Sequence, residues 1–240
     1  MKDIFYIDFY PEKSHVITSG LGFHAFYDGI SSKPKNMLLL SNEFWHAKIH
    51  AGIGMEYVDQ ENFPLLYKEG VQPYGDFGWV DYESEASLGK VAPQELAELL
   101  YLNHYKEPLH SAFFESLGNR YFYFSHDDDW WTVLYMKNLD DMVPVIEHKM
   151  LTALKGRKRS IPRIPPDILK QVYEACKQGA IFDFAQANFS MGYSHVRFYL
   201  AGRITNMDDM HRKLDRLRAK SNAPGDQLTY HAKKHAWRIG

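Results

Sequence analysis

Within FWHAKIHAGIGMEYV, Phe44 to Val58, the residues from Trp45 to Tyr57 alternate. Trp45, Ala47, Ile49, Ala51, Ile53, Met55 and Tyr57 are apolar, while His46, Lys48, His50, Gly52, Gly54 and Glu56 are polar or glycine. A period of two held over this length is that of a half-buried β-strand, whose side chains point alternately to two faces. The pattern predicts one long strand, with His46, Lys48 and His50 in a row on the face away from the core.

Upstream, Ile4 to Tyr10 is rich in aromatic and β-branched residues and reads as a strand. A turn follows at Pro11 to Ser14, and His15 to Tyr27 reads as a returning strand bent at Gly20 and Gly22. Met37 to Leu40 leads into the long strand and completes an antiparallel meander. Downstream, Asp59 to Ala92 has aromatics without a period, and its length calls for a functional loop or a strand near Phe77 to Tyr82. Pro93 opens a helix. Arg120 to Phe124 and Trp130 to Met136 form a hairpin, and a helix runs from Asp140 to about Leu154.

Lys155 to Pro166, KGRKRSIPRIPP, reads as a basic, proline-containing linker. Beyond it come a helix over Asp167 to Lys177 and strands over Ala180 to Ala185 and Ser194 to Ile204. A helix capped by Asn206 and an extended segment from Asp226 to Ile239 follow. The helix–strand–strand–helix order thus occurs twice, at about 93–154 and 166–220. The expectation is an α+β fold, an antiparallel or mixed sheet with flanking helices whose order is compatible with two similar α-β-β-α halves. Its regions are an acidic β-rich 1–155, a linker at 156–165 and a basic α+β 166–240, or all of these integrated as one domain.

Among its 240 residues the chain has one cysteine, Cys176, so no disulfide framework exists, and that cysteine lies on the apolar face of a helix. No apolar run approaches the ~20 residues of a membrane helix. Asp3 and Asp8 interrupt the apolar N-terminus, which does not read as a leader, and the expected compartment is the cytoplasm. The net charge of −2 conceals an asymmetry. Residues 1–150 hold 11 Lys+Arg against 23 Asp+Glu, a balance of −12, whereas residues 151–240 hold 17 against 7, a balance of +10. The plain reading is that the halves face each other, within the chain or across a homo-oligomer; the sharper one is that they meet different partners.

Several motifs fail on geometry. His46 and His50 lie roughly 13 Å apart on a strand, too far to share a zinc ion whose bonds are ~2 Å. His231 and His235 have the same spacing in a segment without clear period. His126-Asp127-Asp128-Asp129 lacks the spaced oxygens and glycine of a calcium loop and reads as a turn. Asp76-Phe77-Gly78 has no His-Arg-Asp to accompany it, and Gly20-Leu-Gly22 and Gly52-Ile-Gly54 lack the third glycine of a dinucleotide loop. No metal or cofactor and no catalytic motif is called for.

What remains is a set of cationic strand faces. In Ser194 to Ile204, His195, Arg197, Tyr199, Ala201 and Arg203 alternate with Val196, Phe198, Leu200, Gly202 and Ile204. If this strand and Phe44–Val58 share one sheet face, then His46, Lys48, His50, His195, Arg197, Tyr199 and Arg203 line a common floor. Its arginines would clamp a carboxylate or phosphate. The competing reading is an ordinary solvated sheet face. The expected function is a binding or interaction protein without evident catalysis, its partner an anionic small molecule or a protein. The alternatives are an enzyme acting on an anionic small molecule at these strand faces, or a nucleic-acid binder through the basic half with its helix MDDMHRKLDRLRAK.

Overall fold

Among the described residues of the computed structural model, twelve strands join edge to edge in one antiparallel sheet. The structure describes residues 3–41, 44–70, 76–126, 131–155, 161–189, 192–220 and 226–240. In chain order the strands are β1 (Ile4–Tyr10), β2 (His15–Ser19), β3 (Met37–Ser41), β4 (Lys48–His50), β5 (Met55–Val58) and β6 (Phe77–Asp81). The rest are β7 (Tyr121–His126), β8 (Trp131–Met136), β9 (Ala180–Phe189), β10 (Tyr193–Leu200), β11 (Gln227–His231) and β12 (Ala236–Ile239). Their spatial order is β12-β11-β10-β9-β1-β2-β8-β7-β6-β3-β5-β4. The helices are α1 (Phe23–Gly29), α2 (Phe63–Leu65), α3 (Glu85–Leu88), α4 (Pro93–Tyr105), α5 (Met142–Leu154), α6 (Pro166–Lys177) and α7 (Met207–Lys220). This is the expected α+β fold. None of the described helices is long and apolar enough to cross a membrane.

The helices divide between the two faces of the sheet. On one, the α1 face, α1, α5 and α6 cover Phe5, Phe182, Phe198, Trp79, Tyr121 and Tyr123 in a continuous core. Trp79 and Tyr123 stack there at 5.7 Å and Phe23 meets both edge-on, so much of the aromatic content is core rather than pocket lining. On the other, the α7 face, α4 packs on Val80, Phe122 and Phe124, and α7 packs on Tyr6, Ile181 and Tyr199. The chain order α-β-β-α does recur, as α4-β7-β8-α5 and α6-β9-β10-α7, but with the faces of its helices reversed. Residues 1–155 and 166–240 share the sheet through the β1–β9 pairing, Tyr6 opposite Ile181. The acidic and basic halves therefore lie side by side in one sheet, meeting at a single seam. Residues 156–160 of the expected linker and Asp127–Asp129 of the expected turn lie outside the described residues.

Two strand expectations are corrected. His15–Tyr27 is not one strand: β2 ends at Ser19 and α1 begins at Phe23. Gly20 takes a φ of +74°, and a Cβ there would lie 1.9 Å from the Ile4 carbonyl oxygen, so only glycine makes this exit. Phe23 and Phe26 then bury on one helical face. Phe44–Val58 is not one strand either, but the β4–β5 hairpin, turned at 51–54 with Gly54 at φ +67°. Lys48 pairs with Tyr57, Ile49 with Glu56 and His50 with Met55. Each pair joins an even number to an odd one, so the turn exchanges the faces of the alternation. Met55 and Tyr57 are buried as expected, whereas Trp45 is 94% and Ile49 68% exposed. Alternation survives a turn between strands, and that is why the sequence concealed it.

Further along, the Ser194–Ile204 strand ends at Leu200, and Asp226–Ile239 is not one extended segment but the β11–β12 hairpin; other local signals hold. Phe77–Asp81 is the strand concealed in the aperiodic stretch. The Asn206 side chain accepts from the Asp209 amide at 2.9 Å, capping α7. Cys176 is buried on α6, and burial pushes its thiol pKa up, which leaves it unreactive.

Candidate functional site

The seven cationic and aromatic residues expected on one floor are distributed over three places. His46 is exposed ahead of β4 and its ring touches Phe44. Lys48 is paired with Asp59, and the His50 ring meets Tyr57. β4 is the outermost strand at one end of the sheet while β10 is third from the other end. At ~4.8 Å per strand they lie roughly 40 Å apart along the sheet, so these two sets form no common site. Tyr199 is buried under α7, its hydroxyl donating to Gln186 Oε1 at 3.3 Å. Arg203 follows the end of β10 and belongs to the middle of the molecule.

In that middle, the α7 face of β1, β2 and β8 carries Asp8, Tyr10, His15 and Tyr135. The register places Tyr10 opposite His15 and His15 opposite Tyr135. The His15 imidazole is sandwiched, 5.1 Å from the Tyr10 ring and 4.5 Å from the Tyr135 ring. Burial, with Lys13 adding to it, lowers its pKa to about 4, so it is neutral near pH 7. The Arg203 Nε donates to Asp8 Oδ2 at 3.2 Å and to the Tyr10 hydroxyl at 3.0 Å, and its guanidinium lies 4.2 Å from the Tyr10 ring centroid. Both ring faces of the histidine and the charge of the arginine are already taken. The Arg203 contacts to Asp8 and Tyr10 tie the two halves together, while the His15 stack lies within the first half, on β1, β2 and β8.

At the basic end the same face is open. On β10, Tyr193, His195 and Arg197 point to it; opposite them on β11 stand His231, Thr229 and Gln227. Arg238 of β12 pairs with Thr229. The alternation in β10 is set by its other face, where Val196 and Phe198 bury in the core. Tyr193 and His195 stack at 5.5 Å with 14° between ring planes, and Tyr193 meets His231 at 5.9 Å. Tyr193 is 37% exposed. Burial and, after it, Arg197 lower the His195 pKa, so the ring is neutral near pH 7.

Among the described residues of β9 to β12, one carboxylate shares this face, Asp183, fully buried opposite Arg197. Arg218 of α7 donates to its Oδ2 at 2.8 Å and neutralises it. Among the described residues no carboxylate lies within ion-pair distance of Arg197 or Arg238. The residues of this end that sequence reasoning missed are Tyr193, Thr229, His231 and Arg238. Tyr193-x-His195-x-Arg197 continues the polar alternation by one step, and Gln227-x-Thr229-x-His231 is a second such run; both were legible.

No protein-family model, curated protein or solved structure matches this chain.

Proposed function

We propose that this chain is a binding protein that captures an anionic ligand on the open β10–β12 end of the α7 face. The observation that carries the reading is the placement of His195, Arg197, His231 and Arg238 on three adjacent strands, beside Asp183, whose carboxylate Arg218 already holds. A guanidinium without an ion-pair partner among the described residues is a ready fork for carboxylate, sulfate or phosphate oxygens. Binding is favoured over catalysis because a histidine base needs a group that orients it, and the ring beside His195 is Tyr193, which only stacks. A reducing compartment agrees with the single, buried Cys176.

Anisotropy of a fluorescein-labelled heparin fragment tests the reading. The basic stretch 151–240, at +10, attracts a polyanion in general, so a substitution confined to the patch is what localises binding. Affinity should fall with added salt, and the double substitution Arg197→Ala/Arg238→Ala should weaken binding on the order of tenfold or more. Unchanged affinity in the double variant would end the proposal.

A further inference from the structure

We infer that the ligand taken at this end is single-stranded nucleic acid, an inference that rests on the anion-binding reading above. A free phosphate or sulfated sugar needs cationic groups only. This face supplies rings as well: Tyr193 stacked on His195 and touching His231, on the solvent side of the sheet, with Tyr193 and His231 exposed. Unpaired bases have flat apolar faces that continue such a stack, and base–aromatic stacking tolerates any sequence.

The cations stand where a backbone would run. Arg197 lies four residues along β10 from Tyr193, roughly 13 Å, and Arg238 lies two strands across, roughly 10 Å. Thr229 and Asn188 lie on the same floor and offer hydrogen bonds to base edges or sugar. β12 is the edge of the sheet, so an extended strand can pass over three strands and leave freely. A duplex keeps its bases stacked inside and offers this face only phosphates, leaving the rings without use.

The experiment is an anisotropy titration of the full chain with four fluorescein-labelled probes: a mixed-sequence 12-nucleotide RNA, the same sequence as single-stranded DNA, its duplex, and a heparin fragment. Both single strands should bind at least tenfold more tightly than duplex or heparin. A log–log salt slope near −1.4 is expected for two neutralised phosphates. Tyr193→Ala should weaken single-strand binding about fivefold or more without changing heparin binding, and Tyr193→Phe should restore it. Tyr193 is exposed, so an unchanged melting temperature is expected for both variants. Equal affinity for heparin and single strands, untouched by Tyr193→Ala, overturns the nucleic-acid inference and leaves the anion-binding reading standing. Binding to none of the four probes overturns both.

Discussion

On one face of one sheet, two places stack a histidine against tyrosine beside an arginine, and their surroundings give them opposite meanings. In the middle of the sheet His15 is closed in by Tyr10 and Tyr135, and Arg203 is committed to Asp8 and Tyr10. At the basic end the His195 ring has Tyr193 on one side, Tyr193 itself is exposed, and Asp183 is spoken for by Arg218 rather than by Arg197. The residue types are the same. Neutralisation and cover by neighbours decide whether such a cluster is part of the frame or a surface for binding.

The largest test of the contrast concerns Asp183, whose carboxylate is fully buried. Arg218→Ala leaves that charge uncompensated and should lower stability by about 3–5 kcal/mol in urea unfolding, with Arg218→Lys recovering part of it. A loss below about 1 kcal/mol would mean that Asp183 is not neutralised through Arg218, and the account of the basic end would have to change.

The His15 stack should respond to acid. His15 has a folded pKa near 4 against about 6.5 unfolded, so below pH 6.5 the unfolded chain binds the extra proton. This contribution to stability is therefore present above pH 6.5 and is lost as the pH falls towards 4, roughly 3 kcal/mol in all. The lowered pKa of His195 acts in the same direction. His15→Phe keeps the stack and should remove most of the pH dependence in that window. An unaltered profile in the variant would show that His15 is not shielded as described.

The far end of the sheet offers a control on faces. Met55→Lys, at a position 7% exposed, should cost about 2 kcal/mol or more, while Ile49→Lys, 68% exposed, should stay within about 0.5 kcal/mol. Equal losses would restore the single-strand reading of Phe44–Val58. The smallest effects separate the two arginines. Arg203→Ala removes a partly exposed pair and should cost up to about 1 kcal/mol, whereas Arg197→Ala should leave the urea midpoint almost unchanged while weakening heparin binding.

Much of the architecture was legible in short-range chemistry. Pro93 and Asn206 marked helix starts, Val196 and Phe198 marked the buried face of β10, and the concealed strand at Phe77–Asp81 was betrayed by a loop too long to be one. The candidate site was half legible. His195 and Arg197 were read from alternation, while His231 and Arg238 became their neighbours only through the pairing of β10 with β11 and β11 with β12. Arg203 was assigned to the wrong place because its partner Asp8 lies 195 residues away.

The sequence by itself determined most of the helices and several strands, the buried face of β10, and that charge is divided between a −12 stretch and a +10 stretch. These are local properties, set by the two-residue and 3.6-residue repeats of the backbone and by side chains near one another in the chain. Tertiary structure alone decided that Phe44–Val58 turns back on itself, that His50 and His195 stand at opposite ends, and that one arginine is neutralised and another left open. Those outcomes depend on which strands pair, and pairing is chosen by burial between residues far apart in sequence, where alternation is the same on either side of a turn.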